Sequence, residues 1–141
     1  MKNSNHHLIT DIKKHYNVSK IIIQKNHHSW GSCYSKTGLI IINAKFDSFN
    51  KREIFFNILF HEIGHRHCYL NGIWKNYHSP SLKNKRCKLT YKRIALKTER
   101  WIENWAEKEM KKWFPKLNFS KGYYTKELTD NFRKKINKLT S

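Results

Sequence analysis

His61-Glu62-Ile63-Gly64-His65 has the residue types and the spacing of a metal-dependent hydrolase. Four residues is just over one helical turn, so on a helix both imidazoles leave the same face at a separation that suits one metal ion. Glu62 is offset from that pair by one residue and can reach a water on the metal without ligating the metal itself. Zinc acidifies such a water, and a carboxylate takes its proton as the oxygen attacks a carbonyl. The chemistry that follows is hydrolysis, above all of peptide bonds, with Glu62 as general base and one zinc per chain. The competing reading is a pair of surface histidines in a chain that has nine. The apolar run Ile58-Leu59-Phe60 argues against it, because it buries the helix that carries the motif.

A catalytic site of this kind needs a third protein ligand and keeps the fourth position open. Two residues compete for the place. Glu99 falls within the apolar arc that Ala95, Ile102, Trp105, Ala106, Met110 and Trp113 build at about 100° per residue. Glu103 lies at the margin of that arc, and Glu107 points outward. A carboxylate on an apolar face is costly unless it is paired or metal-bound, so the alternative for Glu99 is a buried ion pair with a lysine or arginine. His78 is the rival, in the loop segment Tyr77-His78-Ser79-Pro80 that could fold back over the metal. Glu103 and His67 are lesser candidates. His67, Tyr69, Tyr77 and the metal are all possible stabilisers of a developing oxyanion.

The elements that must position these groups are legible in outline. Asn50 can cap a helix, with Glu53 as its capping-box partner and Phe49 stapling against Ile54. Phe55, Ile58, Leu59 and Ile63 continue its apolar stripe until Asn71-Gly72 stops it. A second long helix is expected over about 91–114, ending before Pro115. Leu8, Ile9, Ile12 and Tyr16 predict a helix over residues 6–16. Strands are expected at Val18–Gln24 and Leu39–Asn43, with a turn at Ser35–Gly38 and a hairpin or short sheet edge there. Leu128, Phe132, Ile136 and Leu139 mark a short amphipathic helix in a tail over 116–141, expected to dock on the core.

Length and composition bound the rest. The 141 residues suit one α+β domain over 1–141, with its core in about 18–114. No apolar run approaches the ~18–20 residues that span a bilayer, and 1–12 lacks a signal-peptide core. A soluble, cytoplasmic protein with no membrane partner is expected. Cys33, Cys68 and Cys87 are odd in number and widely spaced, which predicts reduced thiols. The net charge of +19, from 29 Lys and Arg against 10 Asp and Glu, makes nucleic acid a candidate partner. A lysine-rich composition with a solvated basic surface is the plainer explanation. Lys83–Arg93 and Lys111–Lys121 are the densest basic segments, and Trp30 and Trp74 could stack on unpaired bases.

Two families share these features. Trp30-Gly31-Ser32-Cys33, the strand Leu39–Asn43 and the HExxH sequence together resemble the SprT/YgjP-like zinc metallopeptidases, and His78-Ser79-Pro80 looks like that family's third-ligand signature at an unusual spacing. The Cys-rich zinc ribbon of some members is absent. The stretch from Glu99 through Glu103 to Trp105-Ala106 is similar to the glutamate helix of ImmA/IrrE-like gluzincin peptidases. That resemblance implies Glu99 as metal ligand and Glu103 as the residue orienting a ligand histidine, where Asp or Asn is usual. Both resemblances imply a zincin-like fold with a short sheet and an active-site helix, and they disagree on the third ligand. Three readings of function stand: a zinc metallopeptidase acting on protein or peptide, a basic nucleic-acid-binding protein using a zincin fold as scaffold, and a regulatory protease acting on one protein partner.

Overall fold

A computed structural model of the chain describes residues 2–46, 52–73 and 85–117, with single positions at 134, 137 and 138. These form three α-helices, α1 (Lys2–His15), α2 (Arg52–Leu70) and α3 (Lys85–Trp113), and three strands, β1 (Lys20–Gln24), β2 (Gly31–Tyr34) and β3 (Leu39–Asn43). A turn of 3-10 helix, Ala44–Phe46, follows β3. The class is α+β. Among the described residues no helix is long and apolar enough to cross a membrane.

The sheet is mixed, in the order β1-β3-β2, with β1 parallel and β2 antiparallel to β3. Its hydrophobic pattern follows from that order. A strand covered on both faces reads as a continuous apolar run, and Ile40, Ile41 and Ile42 of the central β3 are all buried. β1 is an edge, and its Ile23 is exposed accordingly. The expected turn at Ser35–Gly38 joins β2 to β3, closed by the Gly38 amide donating to the Tyr34 carbonyl at 2.8 Å. β1 begins at Lys20 rather than Val18, whose side chain is buried in the core just before the strand.

Helix α2 is the centre of the molecule. Every residue from Phe55 to Gly64 is buried, because the sheet packs on one side of it and α3 on another. Ile12 and Tyr16, from α1 and the residue after it, complete the core, with the Tyr16 ring edge-on to Phe60. The helix end is tied to the sheet by Arg66, which donates to the carbonyls of Asn17, Ser35 and Lys36 at 3.0, 2.7 and 2.9 Å. Two helices are longer than their apolar patterns indicate: α1 starts at Lys2 and α3 at Lys85. The Asn50 cap, His78, Tyr77 and most of the tail, including Leu128, Phe132, Ile136 and Leu139, lie outside the described residues.

Candidate metal centre

His61 and His65 stand one turn apart on α2, with ring centroids 5.4 Å apart. α3 crosses them and brings Glu99 between the two rings. Its carboxylate oxygens lie 2.6 Å from His61 Nε2 and 3.1 Å from His65 Nε2. One ligand atom from each of the three residues lies within 4.8 Å of the others. In a tetrahedral site with bonds of ~2.0–2.1 Å, ligand atoms stand ~3.3 Å apart, so small side-chain adjustments admit an ion. Two imidazoles and a carboxylate are also a donor set that zinc accepts.

The approach of the two helices depends on a residue in the motif itself. A Cβ on Gly64 would sit 2.6 Å from Ile102 Cγ2 and 3.3 Å from Trp105 Cε3. Any side chain there would force Ile102, and α3 with it, to shift away from the helix that carries the two histidines. Its partners Ile102 and Trp105 belong to the apolar arc that points Glu99 inward.

The electrostatics call for one positive charge. His61 is 1% exposed and Glu99 3%, so the carboxylate sits in a place where an uncompensated anion is costly. Burial alone would raise the Glu99 pKa, but the positive charges of His65 and His61 overcome it and hold the carboxyl well below the usual range. Burial likewise opposes a charged His65, and the Glu99 carboxylate, helped by Glu62, outweighs it and lifts that imidazole to about 9. Without a metal, a proton on His65 supplies the charge that a divalent ion would supply more fully.

The stem of the Glu62 side chain lies against the sheet. Its Cγ would lie 3.2 Å from a Cβ placed on Gly31, the first residue of β2, and Ile58 Cγ2 would be 2.7 Å away. The glycine of the Trp-Gly-Ser-Cys turn is thus what seats β2 on α2 beside the glutamate. Glu62 is buried, and its charge is felt at His65, His27 and Cys33. Burial first, and Glu62 after it, push the Cys33 thiol up to about 12, so it is no nucleophile at neutral pH. The segment before β2 is pinned by Asn43, whose side-chain amide donates to the carbonyls of His27 and Ser29 at 3.0 and 3.2 Å. His27 Nε2 in turn meets Ser32 Oγ at 2.8 Å.

Of the residues singled out in the sequence, the structure therefore gathers His61, His65 and Glu99, with Glu62 next to them on α2. Glu103 is buried one turn beyond Glu99 on α3. His67 does not join the group: its ring stacks on Trp105 at 4.7 Å and is bonded to Asn71. Tyr69 is exposed. Arg66 and the steric roles of Gly31 and Gly64 had not been foreseen. Arg66 was within reach, since a cation three residues after Ile63 and seven after Leu59 interrupts a buried stripe. Comparison of the chain with known protein families, with curated proteins and with solved structures returns no match.

Proposed function

We propose that the protein is a zinc-dependent metallopeptidase built on a zincin-like α+β fold. The observation that carries this reading is the convergence of His61, His65 and Glu99, from two separate helices, on one buried point, with Glu62 buried next to His61 on α2. The three would hold the metal. Bound there, zinc supplies Lewis-acid activation of water and of the scissile carbonyl. Glu62 takes the proton of the attacking water and returns it to the departing amine. Its buried stem against Gly31 holds the carboxylate at the start of β2, an edge strand of the described sheet. An extended polypeptide adding to that edge would run past Glu62, and main-chain pairing accepts many sequences. A short sheet in a small domain leaves little room for a deep specificity pocket, which favours flexible protein segments as substrate.

The test is hydrolysis of an unstructured polypeptide by zinc-loaded protein, against Glu62→Gln. The variant is expected to keep its zinc and lose turnover. Equal turnover in both would exclude Glu62 as the base. Turnover in neither, with zinc bound, would leave a metal-binding scaffold.

A further inference from the structure

The far side of α3 carries a second feature that the proposed hydrolysis does not use. At about 100° per residue, Arg93, Lys97, Arg100, Lys108 and Lys111 fall within ~80° of the helix circumference, and the row is ~27 Å long at 1.5 Å per residue. All five are exposed. Asn104 is the residue that fills the gap in the row, and it is exposed as well. The four acids of α3 are mostly turned elsewhere. Glu99 and Glu103 are buried, and Glu109 accepts from Tyr16 at 3.0 Å and pairs with Lys112 at 2.7 Å. Glu107 alone borders the row, beside Lys111 at 3.3 Å. Arg93, Lys97, Arg100 and Lys108 form no ion pair among the described residues.

A straight row of five cations, of which only Lys111 meets a carboxylate among the described residues, on a chain of net charge +19, is a surface for a polyanion. We propose that this face of α3 binds the phosphate backbone of double-stranded DNA. Over ~27 Å a duplex presents about eight phosphates per strand, enough to meet five side chains. Duplex is favoured over single strand because the tryptophans among the described residues, the strongest stacking platforms, are already engaged. Trp101 and Trp105 stack with His67, Trp113 joins Tyr16 and His15, and Lys45 lies 6.0 Å over the Trp30 ring. Trp74 lies outside the described residues. The exposed row runs between the two segments that are densest in Lys and Arg, and its register on one face is what the sequence count alone does not reveal.

Glu99 is ~140° around the helix from the centre of the row. DNA on this face would leave the metal centre uncovered, so binding should not depend on metal or on Glu62. That independence separates this inference from the proposed peptidase activity.

The experiment is anisotropy of a labelled 20-base-pair duplex with the full chain, across 50–200 mM salt. Five phosphate contacts predict a slope of log Kobs on log salt of about −4.5, a loss of about 500-fold over that range. R93S/K97S/R100S/K108S should flatten the slope by about 3.6. A matched variant, K14S/K20S/K25S/K36S, removes the same charge from exposed positions elsewhere and should bind like the parent. Thermal melts of both variants confirm folding. Equal losses in the two variants would mean that net charge, not the α3 row, attracts DNA, and would overturn the proposal. So would a preference for single strands over duplex of the same length, or no binding by the parent at 50 mM salt. Unchanged affinity in the zinc-stripped protein is expected, and a loss there would also contradict it.

Discussion

Helix α2 carries two buried polar assemblies, and they are built on opposite principles. At Arg66, a cation donates to three main-chain carbonyls, from Asn17, Ser35 and Lys36. The acceptors are neutral, come from the loops flanking β1 and β2, and complete the assembly with nothing added. One turn earlier, Glu99 lies between His61 and His65, three groups that could each bind a cation. That assembly completes itself only when a positive charge enters, as a proton on His65 or as a metal. The difference separates a buried charge that ties helix to sheet from a group that could hold a metal ion. Both are buried, so burial alone does not distinguish them; the sign and mobility of what compensates the charge does.

The largest effect expected is on the metal side. Glu99→Ala should weaken zinc affinity beyond the ~10–100-fold typical of residues that merely orient a ligand, while Glu103→Ala should fall inside that range. Competition against a calibrated chelator measures both. Next comes the Arg66 side. Arg66→Met keeps the bulk but leaves three carbonyls without their donor, which should cost about 2–3 kcal/mol in urea unfolding. Zinc per folded chain should be unchanged. A variant at either position that damaged both stability of the metal-free fold and zinc binding equally would erase the distinction.

The pH dependence of zinc binding has a definite sign. Zinc must displace the proton that Glu99 holds on His65, whose pKa is lifted from 6.5 to about 9. Apparent zinc affinity should therefore rise about tenfold per pH unit below pH 9 and level off above it. The metal-free fold runs the other way. The raised His65 contributes stability below pH 6.5 that is lost as pH climbs through about 9. The depressed Glu99 contributes above its ordinary range and loses that contribution as pH falls through its lowered value. A zinc affinity flat from pH 6 to 9 would remove the proton from the account.

The smallest change is also the sharpest. Gly64→Ala should favour an isolated helix by up to ~1 kcal/mol. In the protein its methyl would press on Ile102 and Trp105 and push α3 outward. Zinc affinity should fall about tenfold, one such step being ~1.4 kcal/mol. Unaltered affinity would show that α3 does not need that close approach.

The sequence showed the metal side more clearly than the Arg66 side because its signals are local. The His61–His65 spacing and the arc that points Glu99 inward are both properties of a single helix. The same holds for β3, whose run of isoleucines matches a strand covered on both faces. β2 was missed because Gly-Ser-Cys-Tyr has no alternation of its own and is a strand through pairing with β3. The first turns of α3 were missed because Lys85–Lys88 carries no apolar period. The contacts of Gly31 with Ile58 and Gly64 with Ile102 join distant parts of the chain, so no window of sequence contains them.

The central claim is that His61, His65 and Glu99 form one metal site. Elemental analysis of the purified chain, with and without added zinc and beside Glu99→Ala, tests it most directly. The account predicts about one zinc per chain in the parent, retained on dialysis against metal-free buffer, and a variant that loses it. A parent protein that is metal-free and takes up no added zinc would contradict the claim, as would a Glu99→Ala variant that holds zinc as firmly as the parent.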